Sequence, residues 1–172
     1  MMIFRTRLFG LVFAGLCCAA VLPAPTLAAE LQVILSGKYA GTIDAYRVGR
    51  TYYLSAKQAG SLYGGQVSWY PVTGRVQLSV RGRRIQFLVN SDQARVEDKT
   101  LKLPAEVLIR TSDAYIPLDF FGTQDFAELT AMDTRFDSKS SLLTINRRAT
   151  VGPLRWFSYK DYTRIVIDLD DD

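Results

Sequence analysis

One order of elements occurs twice in this chain, and that duplication restricts the folds open to it more than any single residue does. In the first copy Tyr52-Tyr53-Leu54 reads as a strand, and Ser55 then caps a helix by accepting a hydrogen bond from a free amide of the first turn. Ala56, Ala59, Leu62 and Tyr63 share one face of that helix, and Gly64 ends it. A hairpin follows, with strands over Gln66 to Trp69 and Arg75 to Val80 joined through Tyr70-Pro71-Val72-Thr73-Gly74. In the second copy Tyr115-Ile116-Pro117-Leu118 stands where Tyr53-Leu54-Ser55-Ala56 stood, with Pro117 among the first helical residues. Leu118 and Phe121, with Phe126 or Leu129, supply its apolar face, Phe136 takes the place of Trp69, and Leu142 to Ile145 that of Arg75 to Leu78. Before the first copy, Leu31 to Leu35 reads as a strand ending at the turn Ser36-Gly37-Lys38. Between the copies, Arg81-Gly82 turns the chain into Arg84 to Val89, and Glu97-Asp98-Lys99 closes a further hairpin. The expected class is α+β, an antiparallel sheet with short helices on one face.

What surrounds that duplication narrows the chemistry. Residues 1–29 read as a secretory signal peptide: Arg5 and Arg7 precede an uncharged apolar run from Leu8 to Leu22, and Thr26-Leu27-Ala28-Ala29 offers small residues for cleavage. A retained anchor is the competing reading, but the run falls short of the ~20 residues a helical crossing needs. The expected location is across the inner membrane, in the periplasm or cell envelope, with no stable membrane anchor after cleavage. Both cysteines, Cys17 and Cys18, lie in the leader, so the mature 143 residues would fold without a disulfide. They would carry 19 basic and 17 acidic residues, too small an excess to argue for nucleic acid.

The chain contains no histidine. Imidazole metal sites, a Ser-His-Asp arrangement and histidine acid–base chemistry are therefore closed to it. Paired carboxylates remain open, as in glycosidases. Glu97-Asp98, Asp119 and Asp125 with Glu128 are the clusters, and each reads more simply as a solvated turn or helix face. The basic run Arg81-Gly82-Arg83-Arg84 reads as a solvated hairpin tip, with contact to an anionic envelope polymer as its functional alternative.

Taken over residues 30–148, the strand, capped helix and hairpin given twice resemble the copper amine oxidase N-terminal-like domain of secreted bacterial proteins. The first copy has Ser55-Ala56 where that pattern has Pro-Leu, and the second keeps Pro117-Leu118 but lacks a glycine helix stop. Despite the family's name the resemblance implies no copper, since copper(II) prefers imidazole nitrogen and this chain has none.

Beyond Ala149-Thr150-Val151-Gly152-Pro153, a Gly/Pro boundary, the chain changes character. Leu154 to Tyr159 forms an aromatic strand, and Tyr162-Thr163-Arg164-Ile165-Val166-Ile167-Asp168-Leu169 a second one. Residues 153–172 resemble the first two strands of an AMIN domain, a β module found ahead of bacterial N-acetylmuramoyl-L-alanine amidases and on some secretion pores. That resemblance implies a non-catalytic region that binds peptidoglycan or another envelope polymer, the front of an amidase whose zinc-holding hydrolase domain is not in this sequence. The chain itself is then no enzyme and holds no cofactor. An adaptor or structural protein of a secretion or pilus system is the alternative. Arg155, Trp156, Tyr159 and Arg164 are the candidate ligand-binding residues, offering flat rings and planar forks. Set against that role, Trp156, Ile165 and Ile167 could be core, with Arg164 paired to Asp161 or Asp168.

Overall fold

The computed structural model describes residues 27–148, 150–151, 154–167 and 169–170, with side chains over 28–148 and 154–167. The signal-peptide reading of residues 1–26 and the boundary at Gly152-Pro153 lie outside these. Strand β1 (Leu27–Leu35) pairs antiparallel with β2 (Lys38–Val48), and β2 with β3 (Thr51–Ser55). Helix α1 (Ala56–Leu62) leads into β4 (Gln66–Tyr70), a single 3-10 turn over Pro71–Thr73, and β5 (Arg75–Val80). Then come β6 (Arg83–Leu88), β7 (Gln93–Val96), β8 (Lys99–Lys102), β9 (Leu108–Arg110) and β10 (Asp113–Pro117). Helices α2 (Leu118–Phe121) and α3 (Gln124–Thr130) precede the hairpin of β11 (Met132–Asp137) and β12 (Leu142–Arg147). Last are β13 (Thr150–Val151), β14 (Arg155–Ser158), β15 (Thr163–Val166) and β16 (Leu169–Asp170).

The expected antiparallel architecture with short helices is present, and it is built as two main sheets. The seven-stranded sheet runs β11-β12-β1-β2-β3-β10-β9 and the five-stranded sheet β4-β5-β6-β7-β8. All neighbours within these two sheets are antiparallel except β1 and β12, which run parallel with Val33 opposite Leu143. Two corrections concern the chain's start. The strand expected over Leu31 to Leu35 begins at Leu27, and the unassigned stretch after Gly37 is the eleven-residue strand β2. Its sequence hid it: only Ala45 is fully buried, so the alternation that marks a half-buried strand is faint there.

The two copies of the repeat meet face to face. β3 and β10 pair with Leu54 opposite Ile116, Tyr53 opposite Pro117 and Ser55 opposite Tyr115, so equivalent positions are exchanged about the central Leu54–Ile116 pair. A helix leaves each strand at the same point. Ser55 closes a full capping box: its Oγ accepts from the Gln58 N–H at 3.2 Å, and its own N–H donates to Gln58 Oε1 at 3.0 Å. Gly64, at φ +61°, and Gly65 end α1 in a Schellman arrangement, their N–H groups reaching the Ser61 and Gly60 carbonyls. Gly65 admits no side chain, because a Cβ there would sit 2.6 Å from the Ser79 carbonyl of β5. In the second copy Pro117 is the cap, not an early helical residue, and completes its ladder with Tyr53 before the helix starts. Its missing amide costs nothing in that place. The helix then breaks at Gly122, and Thr123 caps α3 through the Phe126 N–H. Ala131, at φ +51°, takes the left-handed stop that glycine fills in copy one.

Helix α1 touches strands of both sheets. The core continues through Leu31, Val33, Leu54 and Ile116 from one sheet and Val76, Leu78, Ile85 and Phe87 from the other. At its centre is an aromatic cluster. Tyr63 stacks on Phe121 at 5.1 Å between centroids, and Phe120 and Phe126 meet that pair edge-on. The Tyr63 hydroxyl is satisfied by Thr134 Oγ1 at 2.8 Å, and burial pushes its ionisation far above the ordinary phenol range. Trp69 and Phe136, expected to be equivalent, are both half-buried against this core.

Candidate functional site

The four candidate binding residues all fall on the hairpin of β14 and β15, and the register divides them. Arg155 lies opposite Val166, Trp156 opposite Ile165, Phe157 opposite Arg164, and Ser158 opposite Thr163. Directly opposite residues share a face and successive residues alternate. Arg155, Phe157 and Arg164 therefore stand on one face, while Trp156 and Ile165 stand on the other. Tyr159 is in the turn, where its N–H donates to the Tyr162 carbonyl at 2.8 Å and its ring stacks on Tyr162 at 4.6 Å. The hairpin thus brings Arg155 and Arg164 together around Phe157, sets Trp156 behind them, and places a two-ring platform at its tip.

None of these rings is core. Trp156 is 70% exposed and Ile165 61%, and Tyr159, Tyr162 and Ile167 are also exposed. The buried reading of Trp156, Ile165 and Ile167 is overturned for a geometric reason: a two-stranded ribbon has no second layer to cover either face.

Four of the five clustered carboxylates have partners elsewhere. Glu97 holds Arg83 at 2.6 Å, Asp98 lies 3.7 Å from Arg95, and Asp125 accepts from Lys99 at 2.8 Å. Glu128 accepts from the Gln124 amide, and Asp119 is exposed on α2. Among the described residues no three His, Cys, Asp or Glu side chains gather as a metal site.

A second surface escaped the sequence reading. The outward side of the five-stranded sheet carries a row that crosses all five strands: Ser68, Gln77, Gln86, Arg95 and Thr100. Beside it runs a second row of Tyr70, Arg75 and Leu88. The Gln86 amide points to Gln77 Oε1 at 3.4 Å, and the Gln77 amide to Ser79 Oγ at 3.4 Å. A depression of about 210 Å³ lies over Arg75, Gln86, Gln93 and Thr100, and another of about 280 Å³ over Arg84 and Glu97. Gln86 and Arg95 line both. Arg75, Gln77 and Ser79 alternate with core residues in the sequence, so their outward direction was legible; their alignment with Gln86 and Arg95 needed the register.

The family model described as copper amine oxidase N-terminal domain matches residues 37–140 of this chain. That span holds both copies of the repeat up to β11 and the whole five-stranded sheet, and it leaves out the parallel pair β1 and β12. No curated protein and no solved structure matches the chain.

Proposed function

The chain belongs to the copper amine oxidase N-terminal domain family, a non-catalytic type of N-terminal domain, and from that premise we propose that it is a binding and targeting region of the bacterial cell envelope that attaches to peptidoglycan. The observation that carries this reading is the hairpin of β14 and β15, whose aromatic side chains are exposed on both faces beside Arg155 and Arg164. Exposed rings next to planar cationic forks suit a polymer of sugar rings and carboxylates: a ring covers the apolar face of a sugar, and a guanidinium pairs a carboxylate through two hydrogen bonds. The AMIN-like pattern of the same segment supports an amidase as the parent protein, with zinc held only by a downstream hydrolase domain. Copper does not enter this reading, because the chain offers no imidazole for it.

The test is co-sedimentation of the secreted chain with purified sacculi. Wild-type protein is expected in the pellet at low salt, with less retained as salt shortens the screening length from ~10 Å at 0.1 M toward ~3 Å at 1 M. Arg164→Ala and Trp156→Ala should each reduce retention without moving the thermal midpoint. Wild-type protein that stays wholly in the supernatant at low salt overturns the proposal.

A further inference from the structure

We propose that the outward face of the five-stranded sheet is a second binding site, separate from the β14–β15 hairpin, and that its ligand is an acidic oligosaccharide. The proposal deepens the peptidoglycan reading and rests on it for the polymer class.

The case begins with charge. The outward positions of β4 to β8 include four cations, Arg75, Arg84, Arg95 and Lys102, and not one carboxylate. The acids near this face, Asp92, Glu97 and Asp98, are in the turns. They engage Lys102, Arg83 and Arg95. Arg75 and Arg84 have no ion-pair partner among the described residues. A chain whose overall balance is nearly even has therefore gathered uncompensated positive charge on one sheet face. Such a face attracts anions, and its two open guanidinium groups can each hold a carboxylate bidentately.

The uncharged residues specify the rest of the ligand. Gln77 and Gln86 are half-buried, and the contacts Gln86 to Gln77 and Gln77 to Ser79, both at 3.4 Å, are long for hydrogen bonds, so donors and acceptors are left for a partner. Ser68 and Thr100 extend that polar row to both edges of the sheet. At strand spacings of ~4.8 Å the row is roughly 19 Å long, the reach of a short oligomer and more than one small molecule fills. Tyr70, 48% exposed, stands directly opposite Arg75 and offers a ring face beside the cation. Amide forks, hydroxyls, one ring and spaced guanidiniums match hydroxyl- and acetamide-bearing sugars with carboxylates. Stacked aromatic platforms, which a single-stranded nucleic acid would require, are not on this face.

The experiment titrates the full secreted chain with a peptide-free tetrasaccharide of alternating N-acetylglucosamine and N-acetylmuramate, whose lactyl carboxylates are free. Neutral chitotetraose and a short single-stranded DNA serve as the comparison ligands, with calorimetry and amide chemical shifts as readouts. Wild type should bind the acidic tetrasaccharide, with shifts concentrated at Gln77, Gln86 and Arg95. Arg75→Glu with Arg84→Glu should weaken it at least about tenfold, the effect of losing one charge-assisted contact. Gln86→Ala should weaken it less. No binding by wild type, equal binding of chitotetraose or DNA, or indifference to the double charge reversal each overturns the sheet-face site. If any of these occurs while wild-type protein still sediments with sacculi, the hairpin reading stands and only this proposal is lost.

Discussion

The buried rings Tyr63, Phe120, Phe121 and Phe126 and the exposed rings Trp156, Phe157, Tyr159 and Tyr162 are the same kinds of residue in opposite situations. The first group sits among α1, α2 and α3, with a sheet on either hand, and every ring has aromatic neighbours near 5 Å. The second group rides on two strands with no layer behind them, and Trp156 is 70% exposed. Aromatic content alone therefore says nothing about which ring holds the fold and which meets a ligand. The number of layers around the element decides it, since a ring is removed from water only when something packs on the far side.

The largest expected effect lies on the buried side. Phe121→Ala should cost about 3–5 kcal/mol, because the cavity would open between Tyr63 and Phe126 where rigid sheets limit collapse; chemical denaturation measures it, and a loss below ~1 kcal/mol would mean that the cluster is not the keystone of the core. Next comes the close approach that lets the five-stranded sheet seat against α1. Gly65→Val should destabilise by about 1–3 kcal/mol, since the added carbons meet the Ser79 carbonyl and Val80; a neutral result would show that this contact gives way easily.

Smaller effects follow. Ser55→Ala should cost ~1 kcal/mol by removing the capping oxygen, and a change indistinguishable from zero would show that Gln58 alone holds the end of α1. The pH dependence has a definite sign. Burial raises Tyr63 above the ordinary value of 10.0, so its contribution is complete below pH ~10 and is lost as pH rises toward its folded-state ionisation. Tyr63→Phe should flatten the alkaline decline in stability relative to wild type, and an unchanged alkaline limb would count against that buried phenol. Smallest is Trp156→Ala, expected within ~0.5 kcal/mol of wild type; a loss like that of Phe121→Ala would erase the distinction between the two groups of rings.

Much of the local plan was legible. Ser55 and Gly64 bracket α1 because a hydroxyl acceptor and a residue free to adopt positive φ are chemical requirements of helix ends, and they show in any one chain. The turn at Arg81-Gly82 and the outward direction of Arg75 and Gln77 were equally local. The break between α2 and α3 was missed, as was the stop at Ala131, because alanine at φ +51° is chosen by packing around it and against its own preference. On the candidate site, the residue types of the hairpin were visible, but their division between two faces was not, since cross-strand register fixes which residues are neighbours.

Residue chemistry by itself determined that this chain has no imidazole, that its two copies of strand, capped helix and hairpin would form, and that its last stretch would be strands. Only the tertiary structure decided where the copies go. β3 and β10 join about Leu54 and Ile116, yet the hairpin of copy one enters the five-stranded sheet and that of copy two joins β1 in the seven-stranded sheet. The reason is that capping and turn formation are settled within a few residues. Sheet membership depends on which apolar faces lose the most water when distant segments meet, and on close approaches such as Gly65 against β5 that no short stretch of sequence specifies.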